Sequence, residues 1–408
     1  MSDVVHAEGP VAIIRKRRAQ PFFGRHPWVF AGAIERIESA DGIQPGPGDP
    51  IQVRSHQGEF IGWGLLNPTS NIRIRMYSWT QQETITENLL CHRIRAAISC
   101  RSSVCRLDAD GTACRLIFSE GDLLSGLTVD WYNGFVLVQF TSLALYHFRE
   151  AILEQLKRTL QPQGIWLRTE RGMREAEGLE ITDRLVSGQE PPRPLFIVEG
   201  ELQFGVDVQQ GQKTGFYLDQ RQTRKALTRY TRGHRVLDVY CYSGAFGLTA
   251  VRSGEAKQSL GIDSSAAALN LATANAQLNG VADRCEFRNG DARVVLSELA
   301  QQGTEFDTVI LDPPRMARTR AGIERAIRAY IKLNLQGVNV LKPDGILVTC
   351  NCSGLVSRNQ FFSIVAETSR QSRRHIQILE THGQPNDHPV SAVCPETEYL
   401  KVCLCRVS

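Results

Sequence analysis

Two residues far apart in the chain have the types needed to act together on a pyrimidine ring. They are Asp312, in Leu311-Asp-Pro-Pro-Arg315, and Cys352, in Thr349-Cys-Asn-Cys-Ser-Gly354. Carbon 5 of cytosine is a poor nucleophile until a thiolate adds to carbon 6 and creates an enamine. A carboxylic acid near ring nitrogen 3 would stabilise the charge that this addition generates. Both residues follow apolar runs, Thr308–Leu311 and Gly345–Cys350, that read as successive strands. If those strands are neighbours, Cys352 is the candidate nucleophile and Asp312 its acid partner. The plainer reading of a strand-end cysteine is core packing. Cys350, one pleat earlier on the same face, takes that reading.

Further acids stand at the ends of earlier strands. The first ends in Leu237-Asp-Val-Tyr-Cys-Tyr-Ser-Gly-Ala-Phe-Gly247, which contains Asp238, Tyr240, Ser243, Gly244 and Ala245. Ligands of doubly wound sheets bind outside the carboxyl ends of the strands, so this turn is well placed. Asp263 ends the second strand and precedes Ser264; its carboxylate is suited to both hydroxyls of a ribose. Asp291, before Ala292, follows the third strand, where it could bond an adenine amino group. Asp312 completes the row. Any one of these is a weak signal, but folding alone does not require an acid at four strand ends in succession. The turn lacks the Gly-x-Gly-x-x-Gly dinucleotide pattern and a phosphate-binding lysine, which argues against a dehydrogenase.

The elements that must position these residues begin at Arg235. Apolar strands Val236–Tyr240, Ser259–Asp263, Cys285–Asn289, Thr308–Leu311 and Gly345–Cys350 alternate with helices, predicting a parallel sheet covered on both faces. Ile376–Glu380 and Tyr399–Arg406 read as a closing hairpin. Residues 1–80 carry short alternating segments between Gly/Pro clusters: Ala12–Ile14, Trp28–Ile37, Pro50–Arg54, Gly58–Leu66 and Ile72–Trp79. They predict a small β-barrel. Residues 81–195 read as an α+β block, with helices over Glu83–Ser102 and Tyr146–Leu160 and strands Thr112–Ser119, Gly126–Tyr132 and Phe135–Phe140. Ser187–Pro194 reads as a boundary loop, and residues 196–408 as the third domain, with Leu202–Val208 a strand ahead of the Rossmann-like core.

Composition narrows the class. Of 408 residues, 42% are hydrophobic and 22% charged, as in a globular protein. Without an apolar run near ~20 residues no membrane span is expected. Met1–Pro10 lacks the apolar core of a secretory signal, so a cytoplasmic location is expected. The 11 cysteines are scattered and odd in number, which predicts reduced thiols rather than a disulfide framework. Their spacing fits no structural zinc template, and no metal is expected. A net charge of +4 is slight, but Arg15, Lys16, Arg17 and Arg18 form a basic run with Arg25 and Trp28 close behind. Such a run is usually a solvated face. The neighbouring aromatics make phosphate contact plus base stacking a second reading.

These residues resemble the RlmI-type family of 23S rRNA cytosine-5 methyltransferases, over nearly the whole chain. Gly24-Arg-His-Pro-Trp-Val-Phe30 is similar to the start of its PUA-type RNA-binding module, and Lys213-Thr-Gly-Phe-Tyr-Leu-Asp-Gln-Arg221 to a motif ahead of its Rossmann core. Asp387-His-Pro-Val390 and Glu398-Tyr-Leu-Lys401 also match. The resemblance implies an N-terminal PUA-like β-barrel, a central α+β domain and a C-terminal Rossmann-like class I methyltransferase domain. It implies S-adenosyl-L-methionine as cofactor, contacts from Gln220 and Arg221, and 5-methylcytosine in rRNA as product. A homodimer enters by analogy alone. Arg315 stands where the family more often has Lys, and the family usually lacks a cysteine at position 350. Arg315 also argues against exocyclic-nitrogen methylation, because enzymes of that type carry Tyr or Phe there. Asp-Pro-Pro-Arg is shared with RNA uracil-5 methyltransferases, so uracil, or another RNA, stays open. A different class, an RNA-binding protein with an inactive methyltransferase domain, is disfavoured by the complete set Asp238, Asp263, Asp312 and Cys352. Phe216 and Tyr217 are candidates for stacking the target base.

Overall fold

The structure is a computed structural model and describes every residue except 1–8, 40, 41, 43, 104, 170, 171, 181, 182, 210, 212–214 and 318. Lys213 and Thr214 of the motif quoted above therefore lie outside the described residues. The chain divides into two compact units. The first comprises residues 1–108, 114–192 and 387–397, and the second 109–113, 193–386 and 398–408.

In the first unit, Val11–Ile14, Trp28–Phe30, Ile34–Glu38, Pro50–Arg54, Phe60–Leu66 and Ile72–Ser78 form a six-stranded, mostly antiparallel sheet. The single strand expected over Trp28–Ile37 is two, because Ala31–Ala33 makes a short 3-10 turn between them. Gly32 is the one turn-favouring residue there, between two alanines that suit strand or turn alike, so the break is weakly marked in the residues. A second, five-stranded sheet contains Ala113–Phe118, Leu127–Tyr132, Phe135–Phe140, Gly164–Arg168 and Arg184–Gly188. Its last two strands are additions to the expected set. Trp63, Leu65 and Tyr77 of the first sheet share one apolar core with Ile94, Leu116, Val129 and Ile165. Residues 387–397 complete this unit: Asp387 accepts the Arg115 backbone N–H at 3.1 Å and its carbonyl accepts from Arg101 at 3.2 Å. His26 Nδ1 accepts from the Trp28 backbone N–H, so its Nε2 carries the proton and donates to Glu396 at 3.3 Å. Cys394 Sγ donates to the same Glu396 oxygen at 3.6 Å, and the three form a hydrogen-bonded cluster.

The second unit is the Rossmann-like domain. Its strands are β1 (Arg235–Val239), β2 (Gln258–Asp263), β3 (Cys285–Asn289), β4 (Phe306–Leu311), β5 (Leu341–Asn351), β6 (Ile376–His382) and β7 (Lys401–Val407). Their order in the sheet is β3-β2-β1-β4-β5-β7-β6, parallel except for β7. The helices are α1 (Arg221–Leu227), α2 (Ala245–Arg252), α3 (Ala266–Leu278), α4 (Ala292–Gln301), α5 (Ile323–Asn339) and α6 (Arg358–Ser372). The strand interiors Val236, Leu237, Val309, Ile310, Leu347 and Val348 are buried, as a sheet covered on both faces requires. The order reverses between β1 and β4, so the ligand crevice of such a sheet lies at the ends of β1 and β4. Among the described residues no helix is long and apolar enough to cross a membrane.

Candidate active site

Asp238 is wholly buried at the end of β1, and one carboxylate oxygen accepts the Gly247 backbone N–H at 3.0 Å. Its other oxygen, Oδ1, is buried without a hydrogen-bond partner. Burial lifts this carboxyl to about 7, with Gly247 pulling it down and the charges of Asp312 and Asp263 pushing it further up. A buried carboxylate with an idle oxygen calls for a donor or a cation. The turn between β1 and α2 passes through Tyr240 (φ +67°), Tyr242 (φ +49°) and Gly244 (φ +81°). At Gly244 the positive φ favours glycine, and a Cβ would meet Ala272 and Phe287 tightly, at 3.2 Å. Ser243 is buried, its carbonyl accepting from Asn275 at 3.3 Å, and Ala245 opens α2.

Asp263 braces the same turn from β2. Its two oxygens accept the Tyr242 and Ser265 backbone N–H groups at 3.0 and 2.9 Å, with exposed Ser264 between. Asp291 is exposed and caps α4, accepting from Arg293 and Val294 backbone N–H groups, while Ala292 is buried beneath it. The Arg293 side chain, bonded to the carboxyl, and then these backbone donors hold Asp291 below its usual range. The three acids thus stand at consecutive strand ends. The idle Asp238 oxygen, the glycine turn and the Asp263 carboxylate fit a nucleoside cofactor bearing a cationic group.

Asp312 is half-buried at the end of β4, where its backbone N–H donates to Val239 of β1 at 3.3 Å. Cys352 follows β5, half-buried, with Sγ donating to the Pro313 carbonyl at 3.6 Å. The expected neighbours are therefore neighbours. The Asp312 and Cys352 charges both act on the Tyr217 and Tyr330 hydroxyls and on Cys350, which places these three groups around them. Cys350 is fully buried, and burial drives its thiol well above the usual range. The Ser353 hydroxyl accepts from the Ala317 backbone N–H at 3.2 Å and lies 3.3 Å from the Tyr330 hydroxyl, joining the loops after β4 and β5.

The two stacking candidates separate. Phe216 is buried against Phe204 (centroids 5.0 Å) and beneath the Arg224 guanidinium. Tyr217 is half-buried, edge-on to Tyr242 at 5.4 Å, in the field of Asp312 and Cys352. Gln220 is buried and bonds the Cys350 thiol. Arg221 pairs with Glu199 at 3.5 Å and donates to the Ala113 carbonyl. Arg315 is exposed and donates to Ala317 at 3.1 Å. Tyr330, on α5, carried no signal in the residue pattern. Lys401, at the end of Glu398-Tyr-Leu-Lys401, has Cys352 among the charged groups that act on it.

In the first unit, Arg15, Lys16, Arg17, Arg18 and Arg25 are exposed. Arg15 spends Nε on the Ile34 carbonyl at 3.0 Å. Trp28 is half-buried and donates its indole N–H to Glu120 at 2.8 Å.

Comparison with known proteins gives the family and the fold. Residues 12–79 match the model of a PUA-like domain, and residues 118–404 that of an S-adenosylmethionine-dependent methyltransferase. The ribosomal RNA large subunit methyltransferase I of Photobacterium profundum is 37% identical over 96% of this chain and 98% of its own. That of Erwinia tasmaniensis is 36% identical over 97% and 98%. Among solved structures, SMU.776, a candidate methyltransferase complexed with SAH, superposes with a TM-score of 0.84 at 20% identity, covering 97% of this chain and 100% of that one. This last likeness shows the fold. The chain belongs to the family of S-adenosylmethionine-dependent methyltransferases, among the ribosomal RNA large subunit methyltransferase I proteins.

Proposed function

We propose that the protein methylates carbon 5 of a cytosine in large-subunit ribosomal RNA through a covalent adduct with Cys352. One observation carries this reading: Asp312 and Cys352 leave adjacent strands, joined by the 3.6 Å contact of Cys352 with Pro313, beside the nucleoside-type crevice. The relatives' name supplies the RNA class. S-adenosylmethionine, when bound, supplies an electrophilic methyl group. Asp238, the Tyr240–Ala245 turn and Asp263 would hold it, with Ser264, Asp291 and Ala292 at the adenine side and Gln220 near the transferring end.

The Cys352 thiolate adds to carbon 6, which makes carbon 5 the nucleophile. Asp312, in its acid form, donates to ring nitrogen 3 and stabilises the enamine. Tyr217 flanks the flipped base, in keeping with the aromatic walls such pockets use. After transfer, loss of the carbon-5 proton expels the thiolate and frees Cys352. The exposed Arg15–Arg18 run and Arg25 provide phosphate contacts, with Trp28 beside them.

The test is a transfer assay with methyl-labelled S-adenosylmethionine and unmodified rRNA, comparing wild type with Cys352→Ala. Label in 5-methylcytosine, lost in the variant, is expected. Label in 5-methyluridine would change the base and keep the chemistry. Label on a purine, or label that survives the substitution, would overturn the thiolate mechanism.

A further inference from the structure

A lysine stands directly beneath the loop that carries Cys352. Lys401 opens β7 and lies opposite Asn351, the last residue of β5, in antiparallel register. It is only 2% exposed. Its Nζ donates to the Glu398 carbonyl at 2.8 Å and to the Ser353 carbonyl at 3.4 Å. Ser353 is the residue after Cys352, so the ammonium touches the loop one residue beyond the nucleophile. The charged groups facing it are Glu398, Arg358 and Cys352. The Glu398 carboxylate is already bridged by Arg358, at 2.5 and 3.2 Å. Lys401 thus spends its bonds on carbonyls, and burial lowers it to about 8.

A buried ammonium whose hydrogen bonds all go to backbone carbonyls is expensive, and a packed apolar residue would be cheaper there. Its position explains its presence. Two anionic groups act on it, Glu398, which Arg358 already pairs, and after it Cys352. A cation close to a reactive cysteine favours its thiolate over the thiol.

We propose that Lys401 is a positioning residue for Cys352, its clamped ammonium fixing the loop after β5 and favouring the thiolate over the thiol. The inference rests on Cys352 being the nucleophile. The proton leaves the thiol for solvent, and Lys401 keeps its own while the thiolate forms. No bond to Lys401 is made or broken.

The experiment reads the thiol directly, without substrate. Full-length wild type and Lys401→Met are alkylated with iodoacetamide between pH 5 and 10. The rate at Cys352 is followed by peptide mass spectrometry, with fragmentation separating it from Cys350. The midpoint should rise by about one pH unit in Lys401→Met, giving roughly tenfold slower alkylation at pH 7. An unchanged midpoint overturns the proposal. If Lys401→Met does not fold, Lys401→Gln, which keeps a donor for the two carbonyls and loses the charge, takes its place: a raised midpoint supports the proposal and an unmoved one overturns it. The two readings fail separately. Label lost in Cys352→Ala with an unmoved midpoint removes only the role of Lys401, whereas label retained in Cys352→Ala removes the nucleophile whatever the midpoint.

Discussion

Cys352 Sγ lies 3.6 Å from the Pro313 carbonyl, so the thiol after β5 rests against the Asp-Pro-Pro loop after β4. The two loops are further tied through the Ser353 hydroxyl and the Ala317 backbone. Register makes this so: Leu311 pairs with Thr349, and three residues beyond Thr349 the chain is at Cys352. A thiol and an acid approach one another because two parallel strands end together at the switch point.

The two cysteines of Cys350-Asn-Cys352 should therefore behave oppositely. Cys352→Ala removes the nucleophile and should abolish methyl transfer while leaving S-adenosylmethionine binding intact by calorimetry. Cys350 is fully buried and its thiol is held in the protonated form by desolvation. Cys350→Ala should keep most of the activity and lose only packing energy, on the order of 1 kcal/mol. An inactive, folded Cys350→Ala would make it the working thiol instead.

Asp238 makes stability depend on pH in an unusual direction for a carboxylate. Its carboxyl titrates at about 7 in the fold, against ~3.9 in an unfolded chain. Between those values the native state holds a proton that the unfolded chain has released. The stabilisation is complete below about pH 4 and is lost as pH rises through about 7. Asp238→Asn cannot ionise and should flatten the dependence. Melting temperatures of the cofactor-free proteins from pH 5 to 8 should converge at the acid end, with wild type falling below the variant as pH rises. Parallel curves would sink the assignment.

Much of this site is visible in the residues. Fully apolar strands ending in Asp238, Asp263 and Asp312 announce a parallel sheet and its ligand edge, because buried strands leave acids only at their ends. What depends on distant register is hidden. Lys401 meets the Cys352 loop only because β7 inserts antiparallel between β5 and β6. Tyr330 reaches Ser353 from the middle of α5, where it reads as one more core aromatic. The Gly164–Arg168 strand escapes notice because all five of its residues are buried, which removes the alternation that marks a half-exposed strand. Phe216 and Tyr217 are equivalent as neighbours in sequence and differ only in which side of the chain meets Arg224.

Arg224 should be the costliest single side chain to remove near the site. It is 1% exposed, its guanidinium donates to both Glu199 oxygens at 2.5 and 2.7 Å, and it covers the Phe216 ring at 4.8 Å. This joins α1 to the Leu195–Glu199 strand and fixes the stretch that carries Tyr217 and Gln220. Arg224→Ala leaves the largely buried Glu199 carboxylate with only its longer, 3.5 Å pair to Arg221 and should cost about 3 kcal/mol in urea unfolding. Arg224→Lys should recover little, since one ammonium cannot span both oxygens. A loss under ~1 kcal/mol would mean that the pair is no more than a surface bridge.

The basic run near the start separates phosphate contact from a merely solvated face by its salt dependence. Arg17 and Arg18 are exposed, and Arg17 sits at φ +64° in a turn closed by the Arg18 N–H to the Arg15 carbonyl at 3.0 Å. Arg15 keeps Nε on Ile34, so it is partly committed to the fold. Substituting Arg17 and Arg18 together by Ala should leave the melting temperature unchanged. If each neutralises one phosphate of an unpaired RNA strand, the slope of log affinity against log salt should shrink by about 1.4, because each contact releases roughly 0.7 of a counterion. Fluorescence anisotropy with an rRNA fragment at several salt concentrations measures it. Weaker binding with an unchanged slope would show that the two arginines act through something other than phosphates. Unchanged affinity and slope would make the run a solvated face and move the RNA contact elsewhere on the protein.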